Sequence, residues 1–240
     1  MIKIENLNYS IDGLKLFNDA KINIPKDKMT ILCGLNGVGK TTLLKIISGI
    51  IKTKESKIIK NYKELFYLPQ KITYPQGLTL VEYIESSFYK KGWKWFISND
   101  EKRKIDEILE LLELTNRKNV LIENLSSGEL QKANIALGLV SEAQLLLFDE
   151  PISNMDLINQ IKVLDIIKKL TTKNITCVVV LHDINLSANY GDYFIGLTRE
   201  NGIIQDYKNE FFTAENLKKV YGIDFKIINN DEKFYIQMFN

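Results

Sequence analysis

The stretch that decides the fold reads Gly34-Leu35-Asn36-Gly37-Val38-Gly39-Lys40-Thr41-Thr42. An apolar run at residues 29–33 precedes it, and a helical pattern follows it as far as Ile50. This order fits the phosphate loop G-x-x-x-x-G-K-[ST], whose backbone N–H groups surround a phosphate at the positive end of a helix. The alternative is a glycine-rich turn with a solvated lysine. We expect a nucleotide to be bound by Gly34, Asn36, Gly37, Gly39, Lys40, Thr41 and Thr42.

Two of these side chains have a more specific predicted role. Lys40 would reach the β- and γ-phosphates, and the hydroxyl of Thr41 would complete a Mg²⁺ shell. Two further apolar runs, at residues 145–148 and 177–181, suit strands that are buried on both faces of a parallel sheet. Residues 156–170 lie between them and have a helical period, with apolar Leu157, Ile158, Ile161, Leu164 and Ile167. The sequence thus predicts an α/β core.

The rest of the chain follows other patterns. The residues from about 75 to 124 favour an inserted helical subdomain, because Ile105, Ile108, Leu109 and Leu112 form one apolar stripe. Alternation in Ile2, Ile4, Leu7 and Tyr9, and around residues 229–231, predicts antiparallel strands at both ends. We expect a single domain, with a core of residues 1–70 and 141–240 and a helical subdomain at about 71–140.

Ligands of open α/β sheets bind beyond the carboxyl ends of the strands, so the residues after each run matter. Asp149 and Glu150 follow the second run, where buried carboxylates are costly unless they meet a cation or a proton-transfer role. We expect Asp149 to hold Mg²⁺ through water and Glu150 to activate the attacking water; a polar strand end that caps a helix is the alternative. His182, which follows the third run, is predicted to contact the γ-phosphate; a structural histidine is the alternative.

Residues 125–129, Leu-Ser-Ser-Gly-Glu, precede a helical pattern that runs to Val140. Ser126 and Glu129 have the spacing of a capping box, a common way to begin a helix. A capped helix start with two hydroxyls and a glycine is also able to bind an anion, so the structural and the functional interpretation are compatible.

Composition excludes several classes of protein. The 240 residues carry 32 Lys+Arg against 30 Asp+Glu, a net charge of +2. The chain therefore lacks the excess of basic residues that would indicate nucleic-acid binding. The apolar runs are far shorter than the roughly 18 residues of a spanning helix, which leads us to expect a cytoplasmic location. Cys33 and Cys177 lie in separate apolar runs without metal-ligand spacing and are expected to be buried.

Together these motifs, in this order, resemble the ATPase subunits of ABC transporters over nearly the whole chain. The resemblance identifies Gln70 in Tyr67-Leu68-Pro69-Gln70 with the Q-loop glutamine, residues 125–129 with the LSGGQ signature, and Asp156 with the D-loop. It implies that Tyr9 stacks on adenine, that Ser126 and Gly128 touch phosphate, and that Gln70 contacts Mg²⁺ or the attacking water. His182 is similar to the switch histidine of the family.

The sequence departs from the family pattern at three positions. Ser127 replaces the first glycine of the signature, Glu129 replaces its glutamine, and Leu137 stands where the following helix usually has an arginine. The residues expected to touch phosphate are retained, so we expect the signature to function.

Residues 182–192 and 212–223 are similar to importer ATPases for iron-siderophores, haem and cobalamin. This resemblance implies ATP and Mg²⁺ as cofactors, a head-to-tail homodimer, a transmembrane permease subunit at the inner face of the cell membrane, and indirectly a substrate-binding protein. Trp93 and Trp95 are a possible docking surface for the permease, with ordinary packing as the alternative. An exporter or resistance ATPase shares every motif; an ABC protein acting on DNA or ribosomes fits less well.

Overall fold

The computed structural model describes residues 2–53, 56–89, 97–230 and 233–239. Trp93 and Trp95 lie outside the described residues. The strands are β1 (Ile2–Ile11), β2 (Leu14–Ile24), β3 (Met29–Cys33), β4 (Lys57–Lys60), β5 (Leu65–Leu68), β6 (Leu145–Asp149), β7 (Thr176–Val180), β8 (Tyr193–Leu197), β9 (Ile203–Tyr207), β10 (Asp224–Asn230) and β11 (Lys233–Phe239).

Helices connect and cover these strands. They are α1 (Lys40–Ser48), α2 (Leu80–Tyr89), α3 (Asn99–Leu111), α4 (Ser127–Val140), α5 (Leu157–Thr171), α6 (Ile184–Tyr190), α7 (Lys208–Phe211) and α8 (Ala214–Tyr221), with 3-10 turns at Thr115–Arg117 and Ile122–Asn124. The described residues between β5 and β6 form helices and turns and no strand. The predicted boundaries of the helical subdomain, about 71–140, stay a prediction.

A six-stranded sheet carries the candidate site. Its strand order is β5-β6-β7-β3-β8-β9, and all neighbours are parallel except the pair β8 and β9. The three predicted apolar runs form β3, β6 and β7, which lie side by side. Their carboxyl ends therefore meet at one edge, which is where Gly34, Glu150 and His182 follow.

The sheet is buried on both faces, as the continuous apolar runs predict. Along β6, Leu145 and Leu147 pack into a cluster with β1, β2 and α1. Leu146 and Phe148 point the other way, into a larger cluster with the helices between β5 and β6 and with α5 and α8. Both cysteines are buried and free, which confirms the prediction for them.

The chain ends form antiparallel pairs, as predicted. β1 pairs with β2 and with β4, and β10 pairs with β11 in a hairpin. The edge of β11 is bonded by two side-chain amides of α6: Asn185 exchanges hydrogen bonds with the backbone of Ile236, and Asn189 with that of Phe234. The hairpin is thus attached to the helix that follows His182.

Helix α5 confirms the predicted helix between β6 and β7. Of the residues that follow the helical period, Leu157, Ile158 and Ile161 are exposed. The later part of the helix is in the core, through Val163, Leu164, Ile167 and Leu170. The first turns of α5 therefore lie at the surface, which the period alone did not predict.

Candidate functional site

The phosphate loop connects β3 to α1 in a conformation that only glycine adopts easily. Gly34 has a φ of 133°, and a Cβ there would lie 2.5 Å from the carbonyl oxygen of Leu197. Gly39 is the N-cap of α1 in a left-handed conformation, with no side-chain cap hydrogen bond. No side chain caps the first N–H groups of α1, so these groups are available to a ligand.

Lys40 is folded back onto this loop. Its Nζ donates to the carbonyl oxygens of Gly34 at 2.9 Å and Leu35 at 2.8 Å, and the side chain is buried. Burial lowers the pKa of Lys40, and the charge of Glu150 opposes that shift. The ammonium is held where the loop would enclose a phosphate, so an anion is able to take over these contacts.

Asp149 and Thr41 form an oxygen-rich pair beside the loop. Thr41 Oγ1 donates to Asp149 Oδ1 at 3.1 Å, and the hydroxyl of Tyr67 donates to Asp149 Oδ2 at 3.3 Å. Burial raises the pKa of Asp149, and these two hydrogen bonds oppose the rise. In the described part of the chain, no group of three or more His, Cys, Asp or Glu side chains is arranged to hold a metal. The oxygen donors nevertheless fit Mg²⁺, which usually takes one or two protein oxygens, phosphate oxygens and waters.

Glu150 lies between the other two predicted catalytic side chains. His182 Nε2 is 2.6 Å from Glu150 Oε1, and Gln70 Nε2 donates to Glu150 Oε2 at 2.5 Å. Glu150 has a φ of 54°, in the left-handed region, so its backbone turns sharply at the end of β6. Three residues from distant parts of the sequence thus converge on one carboxylate.

A cavity of about 370 Å³ opens over the phosphate loop. It is lined by Gly37, Lys40, Thr41 and other residues of the loop, by Glu150, and by an apolar side made of Ile11, Leu14 and Leu16. Tyr9, which was expected to stack on adenine, is not among the lining residues; it is half-buried against the core. Ile11, Leu14 and Leu16 are the apolar residues in the lining of this cavity, and the stacking of Tyr9 on adenine stays a prediction.

The predicted signature begins α4, and its capping box is confirmed. Ser126 Oγ accepts from the backbone N–H of Glu129 at 3.3 Å, and Glu129 Oε2 accepts from the N–H of Ser126 at 2.9 Å. Glu129 Oε1 in turn accepts from Nε of Arg117 at 2.6 Å. Arg117 was not among the predicted site residues.

Asp156, the predicted D-loop residue, is hydrogen-bonded to Asn159, which lies against Gly128 of the predicted signature. Asp156 is the N-cap of α5 and accepts from the N–H of Asn159 at 2.9 Å and from Asn159 Nδ2 at 2.6 Å. A Cβ on Gly128 would lie 3.0 Å from Oδ1 of Asn159. Asn159, also missing from the prediction, therefore packs between the D-loop carboxylate and the signature glycine.

Some of the predicted site residues line two cavities, whereas Gly34, Ser126, Gly128, Asp156 and His182 line neither of them. The cavity over the phosphate loop has no signature residue in its lining. Ser127 of the signature lines another cavity of about 210 Å³, together with Gln70, Glu150 and Met155. Glu150 borders both, whereas the phosphate loop and the signature do not share either.

Comparisons with known proteins show the family to which the chain belongs. The sequence profile described as ABC transporter matches residues 17–153, more than half of the chain. An uncharacterised ABC transporter ATP-binding protein of Methanocaldococcus jannaschii is 34% identical, over 95% of this chain and 94% of that protein. The iron(3+)-hydroxamate import ATP-binding protein of Bacillus subtilis is 31% identical, over 95% of this chain and 90% of that protein.

A solved structure shares the fold. A chain described as an inward-facing metal-chelate type ABC transporter superposes with a TM-score of 0.88 at 23% identity, covering 99% of this chain and 96% of that one. None of the helices in the described ranges combines the length and apolar character needed to cross a bilayer. The chain therefore belongs to the ABC transporter family, as an ATP-binding subunit that hydrolyses ATP for transport.

Proposed function

We propose that this subunit dimerises head to tail on ATP and energises the import of a metal chelate through a separate permease. The dimer proposal rests on the fact that the phosphate loop and the signature line different cavities. The phosphate loop and the signature are both built to meet phosphate, but the cavity over the loop is lined by no signature residue. A second copy, turned so that its signature faces the first copy's loop, would complete each site and give two equivalent sites.

Within each site the residues would divide the work. Lys40 and the uncapped N–H groups of α1 would bind the β- and γ-phosphates, with Asn36, Gly37 and Thr42 in the same loop. Thr41 and Asp149 would hold Mg²⁺, with Gln70 nearby, and the ion would supply charge neutralisation on the phosphates. Tyr9 would stack on the base, as the family resemblance implies, and apolar Ile11, Leu14 and Leu16 would flank it.

Glu150 would take the proton of the attacking water. Its carboxylate is engaged by His182 at 2.6 Å and by Gln70 at 2.5 Å, one partner on each oxygen, and each oxygen keeps a further lone pair for a water. A γ-phosphate in the loop would offer His182 a second partner and would leave more of Glu150 to the attacking water. Gln70 would move with the same change and report the state of the site to the permease.

The dimer is tested with Glu150→Gln. The amide cannot act as a base, so hydrolysis should fall by about 10² to 10⁴ while ATP binding persists. ATP should then trap a dimer that size-exclusion chromatography separates from the monomer. Wild-type turnover in this variant would remove Glu150 from catalysis, and a variant that binds ATP yet stays monomeric would refute the head-to-tail dimer.

The substrate class rests on the relatives. One relative is named for import of an iron(3+)-hydroxamate, and the structural neighbour is described as a metal-chelate type transporter. We propose that this chain works at the inner face of the cell membrane with such a permease and, indirectly, with a substrate-binding protein.

Uptake measurements test the substrate. Deleting the gene should reduce uptake of a labelled iron-siderophore, haem or cobalamin, and the wild-type gene should restore it where Glu150→Gln does not. Unchanged uptake of all three, in a strain without a redundant system, would refute the import proposal and leave the ATPase assignment intact.

A further inference from the structure

The start of α4 carries a charge that opposes anion binding. Ser126 is its N-cap, and the N–H groups of Ser127 and Gly128 have no partner four residues earlier in the helix, so they are available to an anion. Glu129 lies in the same first turn. Its Oε2 accepts from the N–H of Ser126 at 2.9 Å, which fixes the carboxylate beside the capping hydroxyl.

This carboxylate is ionised at neutral pH. The pKa of Glu129 is lowered, first by the hydrogen bond from the backbone N–H of Ser126 and further by Arg117. A fixed negative charge one turn from a phosphate-binding position would repel a polyphosphate by Coulomb interaction. The LSGGQ pattern that this segment resembles has a neutral glutamine at the position.

Arg117 supplies the missing positive charge. Its Nε lies 2.6 Å from Glu129 Oε1, so the two side chains form a hydrogen-bonded ion pair at the signature. Glu129 keeps only 25% of its side chain exposed, which limits the solvent screening of its charge. Arg117 ends a 3-10 turn, and its neighbour Lys118 instead pairs with Asp106, so the contact is specific to Arg117.

We propose that Arg117 is a positioning residue that neutralises Glu129 and holds it in the capping box, so that this signature accepts the ATP of a second copy. The ion pair of Arg117 and Glu129 does here what a single glutamine does in an LSGGQ segment. The capping box also leaves the hydroxyl hydrogen of Ser126 free, because Ser126 Oγ acts as the acceptor within the box. The proposal rests on the head-to-tail dimer proposed above.

The test uses a charge-rescue set in the Glu150→Gln background, in which ATP traps the dimer. The variants are Arg117→Ala, Glu129→Gln and the two combined, with Arg117→Lys to retain the charge and Lys118→Ala as the matched control. Two quantities are measured: the affinity of the monomer for ATP at low protein concentration, and the ATP concentration that gives half-maximal dimer.

Arg117→Ala should raise the ATP concentration for half-maximal dimer by about tenfold, the effect of roughly one uncompensated charge at short range. Monomer affinity should not change, because Arg117 lies outside the phosphate-loop cavity. Adding Glu129→Gln should restore the dimer to within about twofold, since glutamine caps the helix without a charge. Arg117→Lys and Lys118→Ala should behave like the reference.

Three outcomes would overturn the proposal. If the combined variant dimerises as poorly as Arg117→Ala, Arg117 acts by touching the nucleotide or by holding the fold, not by neutralising Glu129. If Arg117→Ala and Arg117→Lys both match the reference, the ion pair has no role in dimer formation. If the reference itself binds ATP and stays monomeric, the head-to-tail dimer fails first, and the role of Arg117 fails with it.

Discussion

In the proposed dimer, the start of α1 in one copy and the start of α4 in the other would meet the same phosphates. These two helix starts are built in opposite ways. Helix α1 begins at Gly39 with no side-chain cap and no acidic residue in its first turn. Helix α4 begins at Ser126 with a complete capping box and Glu129 in its first turn. The first start leaves its N–H groups to the ligand, whereas the second satisfies part of its own and adds a charge.

The difference has a physical meaning for each site. An uncapped start is stabilised only when an anion arrives, so the phosphate loop should gain most from ATP. A capped start is formed before any ligand is present, so the signature is a preorganised surface for a second copy. Helix α3 has the same capping box, with Ser98 and Glu101, at a place where no site is predicted. A capping box alone therefore does not make an anion site.

The largest expected effect concerns the uncapped start. Lys40→Ala removes the buried ammonium that would bond the phosphates, a charge-assisted contact of about 1.5–3 kcal/mol. ATP affinity, measured by titration calorimetry, should fall by roughly 10- to 150-fold. His182→Ala should keep the affinity and lower turnover, because His182 bonds Glu150 and is not a lining residue of the loop cavity. An equal loss of affinity in both variants would contradict these separate roles.

A smaller effect should distinguish the capping box of α4 from that of α3. Ser126→Ala and Ser98→Ala each remove one capping hydrogen bond, worth about 1 kcal/mol, and each should lower the melting temperature by about 2–4 °C. Only Ser126→Ala should also raise the ATP concentration needed for dimer in the Glu150→Gln background, by several-fold. Size-exclusion chromatography and thermal melts give the two quantities.

Ser98→Ala is the matched control, because its capping box has the same Ser-x-x-Glu pattern on a helix without a predicted site. If the two variants weaken the dimer equally, the effect of Ser126 is one of stability alone. That result would contradict the statement that the signature is a preorganised surface for a second copy.

The sequence predicted the elements that depend on local pattern. Continuous apolar runs gave β3, β6 and β7, and the phosphate loop with its following helix was found from glycine spacing. The sequence also predicted that the polar residues after these strands meet at one edge of the sheet, because parallel strands align their carboxyl ends.

Long-range pairs were beyond the sequence. Tyr67 bonds Asp149 and Arg117 bonds Glu129, and no periodicity reports which side chains of separate segments meet. The sequence did contain one indication that a cation lies near Glu129. A carboxylate at a helix start that should bind an anion requires a nearby positive charge, but the sequence does not show that Arg117 supplies it. The exposed first turns of α5 likewise reflect where the helix lies and not its period.

The faces on which Tyr9 and Ile11 lie along β1 were also beyond the sequence pattern. β1 contains register shifts between Ile4 and Leu7, between Leu7 and Tyr9, and between Tyr9 and Ser10. Each irregularity can change the face on which the following side chains lie, so simple alternation could not place Tyr9 or Ile11.

The smallest expected effect concerns the base of the nucleotide and tests a further contrast between the two helix starts. Apolar Ile11, Leu14 and Leu16 flank the phosphate loop, whereas polar Asn159 packs on Gly128 at the signature. We therefore expect the base to lie beside the loop and the signature to meet phosphate. Ile11 is 47% exposed, so a bound base would bury part of its side chain.

Ile11→Ala removes about 40 Å² of that contact, close to 1 kcal/mol, so ATP affinity should fall by about fivefold. Tyr9→Ala should lower the melting temperature, because Tyr9 packs against the core, and it should lower ATP affinity as well, because the family resemblance implies that Tyr9 stacks on adenine. Titration calorimetry of both variants, below their melting temperatures, shows which of the two residues contacts the base. Unchanged affinity in Tyr9→Ala would contradict the stacking of Tyr9, and unchanged affinity in Ile11→Ala would contradict the contact of Ile11 with the base.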